Sequence, residues 1–114
     1  MKAVFVELPA FARHRSESLD DEGLRALQAA LMDDPEAGDV VEGTGGLRKL
    51  RFRDTRRGEG RRGGLRVIYF WWPAGRLFWL FTIYGKGRIS DLTASERRTL
   101  RTRIKAEIEA RRTR

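Results

Sequence analysis

Residues 65–92 read LRVIYFWWPAGRLFWLFTIYGKGRISDL, and two apolar runs inside them decide the fold. Leu65–Trp72 and Leu77–Tyr84 are rich in β-branched and aromatic residues, and each is apolar at both parities for most of its length. That pattern predicts two central strands, covered on both faces and joined as a hairpin. The link Pro73-Ala74-Gly75 suits a type I turn, with Pro at its second position and Gly at its fourth. Immediately upstream, residues 43–54 read GTGGLRKLRFRD. Leu47–Phe52 predicts a further strand, with Leu50, Phe52 and Arg48 on one face and Leu47, Lys49 and Arg51 on the other. A strand with that many charges needs one face or end open to solvent.

Between these strands lies a charged glycine loop, Arg53–Gly64, whose residues 58–63 (GEGRRG) match the dinucleotide fingerprint letter for letter. The fingerprint works only between a strand and a helix N-terminus, and a β run follows here, so the match is rejected. Two readings of the loop stand: a mobile arm that settles on a phosphate backbone, or a solvated hairpin loop.

Toward the N-terminus, Ala3–Leu8 predicts a strand and Pro9–Ser16 a short helix opened by its proline. Asp20 or Asp21 is placed to cap a second helix, whose Leu24, Leu27 and Leu31 form one stripe and which Pro35 ends. Residues 36–46 read as a connector with a short extended piece at Val40–Val41. The GTGG at 43–46 is either a plain loop or backbone that approaches a phosphate. A last helix starts near Leu92, with Thr93 as cap and Glu96 completing a capping box. Leu100, Ile104 and Ile108 give it a narrow apolar seam, and residues 111–114 are expected to fray. The expectation is therefore one α+β domain over residues 1–114. It has an N-terminal strand and two helices packed on a mostly antiparallel four-stranded sheet, with a C-terminal helix.

The chain carries 24 Lys and Arg against 16 Asp and Glu, a formal net charge of +8. Such a balance speaks about partners: nucleic acid, an anionic surface or an acidic protein. Only Lys2, Lys49, Lys86 and Lys105 are lysines, and the other basic residues are Arg, whose planar fork suits phosphate and stacks on bases. A bias of the genome toward Arg codons accounts for the ratio equally well, but not for where the charge clusters. With no Cys and one His, at position 14, thiol chemistry and a Cys-based zinc site are excluded, and no cofactor is expected. The apolar runs are too short to span a membrane, and the N-terminus lacks an unbroken apolar stretch of the signal-peptide kind. The sequence thus reads as cytoplasmic.

The basic cluster runs from Arg48 to Arg66, opposed only by Asp54 and Glu59. Repulsion inside such a patch is tolerable when it is solvated or holds an anion. Tyr84, Tyr69 and neighbouring aromatics offer stacking faces for unpaired bases, which fits single-stranded RNA better than a DNA groove. Cleavage of RNA through the 2′-hydroxyl needs a base, an acid and a stabiliser of the pentavalent phosphate. Lys86 is the candidate base, Arg66 the stabiliser, and Tyr84 the residue that orients the nucleotide or shares proton transfer. The alternative is that these three merely dress the open end of a sheet. Hairpin register decides: Arg66 opposite Tyr84 puts both on one face, whereas a slip by one residue sets Arg66 against Ile83 and divides the group.

In combination, GTGGLRK, RGG-x-R-V-I-Y and YGK-x4-DLT resemble the HigB-like branch of the RelE toxin superfamily, over Val4 to about Glu109. The resemblance implies a toxin of a type II toxin–antitoxin module, a metal-independent endoribonuclease (mRNA interferase) that cuts mRNA on the translating ribosome. It also implies a HigA-like helix-turn-helix antitoxin as partner. Carried over by motif, Arg66, Tyr84 and Lys86 are the catalytic candidates, Arg48, Lys49, Arg61 and Arg62 bind RNA, and Asp91 is a turn or cap residue. The alternative function is a basic RNA- or ribosome-binding protein that does not cut and is held by an acidic or helix-turn-helix partner.

Overall fold

The computed structural model describes residues 2–53, 64–85 and 93–112. In chain order these form β1 (Val4–Glu7), α1 (Pro9–Ser18), α2 (Asp21–Asp33), β2 (Asp39–Val40), β3 (Arg48–Phe52), β4 (Leu65–Trp72), β5 (Leu77–Gly85) and α3 (Ala94–Arg112). The strands make one sheet in the order β1-β5-β4-β3-β2. All neighbours are antiparallel except β1, which runs parallel to β5.

The sheet therefore has five strands, not the expected four. The additional one is β2, a two-residue edge strand, too short for periodicity to reveal. It pairs Asp39 with Lys49 and Val40 with Arg48. The extended piece thus sits one residue earlier than the Val40–Val41 read from sequence.

Two cores flank the sheet. On one face, Phe11 of α1 and Leu27 and Leu31 of α2 meet Val67, Tyr69, Phe78, Leu80 and Ile83 of the central strands. Phe78 is the hub there: Phe5 stacks on it at 4.8 Å and Trp71 at 4.3 Å between ring centroids. On the other face, Ile104 of α3 packs on Leu47, Ile68, Phe70 and Tyr84, with Leu100 and Ile108 beside it. Both central strands are apolar at both parities because a helical layer covers each side.

Helix boundaries follow local chemistry. Asp20 caps α2, its carboxylate accepting from the Gly23 N–H at 2.7 Å. Pro9 occupies the first turn of α1, which runs to Ser18, two residues beyond the expected end. Arg15 ties α1 to β1 through Glu7 at 3.0 Å. At α3 the Thr93 carbonyl accepts from the Arg97 N–H at 2.9 Å, the first helical bond. The helix continues to Arg112, into the stretch expected to fray.

The β4–β5 link departs from the expected type I turn. Pro73–Gly75 forms a 3-10 turn closed by the Arg76 N–H on the Pro73 carbonyl at 3.1 Å, and Arg76, not a glycine, takes the left-handed conformation (φ 49°). Gly75 is small for another reason: a Cβ there would stand 3.2 Å from the Trp72 ring.

Candidate nucleic-acid interface

Residues paired across antiparallel strands project to the same face. Arg51 of β3 pairs with Arg66 of β4, and Arg66 pairs with Tyr84 of β5. The three form a row across the α3 face of the sheet, at the end of β4 where the chain enters. The adjacent row on the same face holds Asp39, Lys49, Ile68 and Thr82. Of the two registers left open by the sequence, the observed one sets Arg66 against Tyr84.

Local backbone holds Arg66 in place. Its Nη1 donates to the Gly64 carbonyl at 3.2 Å. Gly64 has φ +68°, and a Cβ there would lie 2.7 Å from the Phe52 carbonyl oxygen, so only glycine lets the chain enter β4 this way. Two positively charged residues directly opposite each other, Arg51 and Arg66, are unfavourable in a sheet. Arg51 is exposed and Arg66 half-buried, so solvent screens part of the repulsion.

Tyr84 is nearly buried, packed with Leu47, Ile68, Phe70 and Ile104, which fixes its ring. Beside it opens a cavity of about 330 Å³, lined by Asp39, Glu42, Lys49, Ile68, Tyr84 and Arg97 among others. Arg97 comes from the first turns of α3, and its Nε is buried with no hydrogen-bond partner among the described residues.

The loop between β2 and β3 supports this wall. Thr44 is wholly buried; its hydroxyl donates to the Val41 carbonyl at 2.6 Å and accepts from the Leu47 N–H at 3.1 Å. Gly46 (φ +129°) lies against Phe70, where a Cβ would be 3.0 Å from the ring. The GTGG segment is thus a packed turn beneath α3.

Other candidates stand elsewhere. Arg48 points to the opposite face from Lys49, where its guanidinium donates to the Glu36 carbonyl at 2.9 Å and pairs with the Glu36 carboxylate at 3.3 Å. Tyr69, weighed as a stacking face, is wholly buried on that same side, and its hydroxyl donates to the Ala37 carbonyl at 2.6 Å, with the Pro35 carbonyl at 3.0 Å. Burial pushes its phenol well above the ordinary tyrosine range. Both residues pin the connector between α2 and β2. Lys86, Arg61, Arg62 and Asp91 lie outside the described residues.

Arg97, Asp39 and Glu42 were not singled out from the sequence. Arg97 had a signal: at three and seven residues before Leu100 and Ile104, it extends their stripe by one turn. Asp39 and Glu42 had little: the extended piece at Val40–Val41 marked the neighbourhood, but nothing local showed which strand it would pair with. No described helix is long and apolar enough to cross a membrane. No protein-family model matches the chain.

Proposed function

We propose that this chain is a RelE-like, HigB-type toxin: a ribosome-dependent endoribonuclease that cuts mRNA without a metal and is neutralised by a helix-turn-helix antitoxin. One observation carries the reading: the Arg51–Arg66–Tyr84 row, with Lys49 one row along on the same face. The motif resemblance and the charge of +8 point the same way. In the proposed mechanism, Arg66 and Arg51 engage the scissile phosphate, and Arg66 stabilises the charge that develops on it. The fixed ring of Tyr84 orients the nucleotide, and its phenol or Lys86 handles the proton of the 2′-hydroxyl. The antitoxin answers the basic surface with acidic or helical segments.

The test is induction of the protein in growing cells, followed by primer extension on cellular mRNA. New 5′ ends within translated frames are expected. Growth arrest without new ends moves the protein to a non-cleaving RNA or ribosome binder, and normal growth with the protein present overturns both.

A further inference from the structure

β1 forms one edge of the sheet, and among the described residues β5 is its only strand neighbour. The Val4 and Leu8 N–H groups donate to the Arg76 and Leu80 carbonyls, both at 2.9 Å. Backbone groups alternate in direction along a strand, so Ala3, Phe5 and Glu7 turn theirs away from β5. Val4 and Val6 are 59% and 37% exposed. Both project to the α3 face, in register with Leu77 and Trp79, while Phe5 projects to the other face and stacks on Phe78. Folded proteins guard such edges with charges, proline, a bulge or brevity. β2, at the far edge, is two residues long and carries Asp39. β1 runs Val-Phe-Val-Glu, and its one charge, Glu7, is turned back onto Arg15 of α1 at 3.0 Å.

We infer that β1 is the docking edge for a second copy of this chain, which pairs antiparallel about a two-fold axis at Phe5 and continues the sheet. The edge is self-complementary. An axis normal to the sheet at Phe5 sets Phe5 against its own copy, Ala3 against Glu7 and Val4 against Val6. The residues with outward backbone groups then become the hydrogen-bonded pairs. Val4 and Val6 become the close, non-hydrogen-bonded pair, so each exposed valine covers the other on the α3 face. Moving the axis by one residue is worse. Centred on Val6, it sets Glu7 against the Phe5 ring; centred on Val4, it sets Lys2 against Val6. Charge selects the occupant. Within the ladder Glu7 is answered by Arg15, and the basic row lies toward the other end of β5. There Tyr84 meets Arg66, whereas β1 pairs with Leu77 to Leu80. An apolar, locally neutral ladder gives RNA or an acidic peptide little to hold. It also lets two copies of a chain of charge +8 meet where that charge is sparse.

The experiment is sedimentation of the full chain from micromolar to millimolar concentration, for wild type, Val4→Lys and Val40→Lys. A short ladder makes a small interface, so a weak, concentration-dependent dimer is expected. Val4 is exposed, so Val4→Lys folds; it weakens association by at least about tenfold, because the contact is lost twice. Val40→Lys makes the same charge change on the opposite edge, at a residue 53% exposed, and leaves the dimer unchanged. The chain has no cysteine, so register is read by cross-linking. Val4→Cys mixed with Val6→Cys forms a disulfide on mild oxidation, because non-hydrogen-bonded partners lie within bridging distance. Neither variant bridges to itself. A monomer at every concentration overturns the inference, whether the edge is then bare or taken by a strand of another protein. So does a dimer that Val4→Lys leaves intact, or one in which Val6→Cys bridges to itself.

Discussion

Arg66 of β4 stands directly across from Tyr84 of β5, and one extra residue in β5 puts it there. From the turn, the ladder runs Trp72↔Leu77 to Tyr69↔Leu80; continued without a break it would set Arg66 against Ile83. The register instead shifts between Ile68 and Tyr69, so that Ile68 pairs with Thr82 and Phe81 is left over. This bulge also serves the core. Leu80 and Ile83 both pack on the α1–α2 side although they are three residues apart, which unbroken alternation forbids. Phe81 joins the α3 side. One insertion thus satisfies both cores and brings a guanidinium and a phenol onto one face.

That pairing makes Tyr84 and Arg66 separable by mutation. Tyr84→Ala empties a buried ring position and is expected to cost about 3–5 kcal/mol, so its loss of activity is uninformative. Tyr84→Phe keeps the ring in the Leu47–Ile68–Phe70 cluster and removes only the hydroxyl. Its unfolding midpoint should stay near wild type while mRNA cleavage falls by about 10²-fold. Arg66→Ala should lower cleavage by about 10²–10³ with stability changed by less than about 1 kcal/mol. Cleavage by Arg66→Ala at the wild-type rate removes Arg66 from the reaction. Urea unfolding and primer extension on the same preparations separate the effects.

Tyr69 provides the control on the opposite face. Tyr69→Phe loses the hydroxyl that reaches Ala37 and Pro35, at an expected cost of about 1–2 kcal/mol, with cleavage unaffected. The same residue gives a pH signature. Burial raises its pKa in the folded state above the unfolded value of about 10. The native state then holds a proton that the unfolded chain releases, so the contribution is complete below pH about 10 and declines as pH rises beyond it. Denaturant titrations between neutral pH and pH 11 should show a steeper alkaline decline for wild type than for Tyr69→Phe. Parallel curves for the two proteins contradict this account.

The parts legible in the sequence were those that a local period encodes. Leu65–Trp72 announced a doubly covered strand, and Leu100, Ile104 and Ile108 announced the seam of α3 that the second core uses. Parity alone put Lys49 and Arg51 together and Arg48 apart, as the β3–β4 pairing has them. What could not be read depends on partners distant in the chain. Phe81 becomes a bulge only because two cores compete for the phase of β5. Tyr69 looks like a stacking residue until α2 is laid over it. Asp39 joins the cavity only through its pairing with Lys49, across a loop whose packing depends on a buried threonine.

That threonine can be tested directly. Thr44 has two hydrogen bonds inside the turn, and one partner, the Leu47 N–H, is itself buried. Thr44→Val has nearly the same shape but leaves that donor without an acceptor, at an expected cost of about 1–3 kcal/mol. Thr44→Ser keeps both bonds and should lose much less. Hydrogen exchange at the Leu47 amide should accelerate in the valine variant beyond what its global stability predicts, because the turn opens locally. Equal exchange in the valine and serine variants means that the hydroxyl is not what closes the turn.

Arg51 joins stability to the proposed function with opposite signs. It is exposed and faces Arg66 across β3 and β4, where two like charges cost stability and two opposite charges add to it. Arg51→Glu replaces repulsion by attraction and is expected to stabilise the fold by about 0.2–1 kcal/mol. The same change removes a phosphate-binding cation, so single-stranded RNA binds more weakly. In Arg51→Ala, where no new charge is introduced, the slope of log K against log salt should become shallower by about 0.7, the value for one phosphate contact on a single strand. A charge kept at a cost to stability is what a binding residue looks like. If Arg51→Glu is less stable than wild type, or if the salt slope of Arg51→Ala is unchanged, Arg51 is not a phosphate ligand and the row loses its outer member.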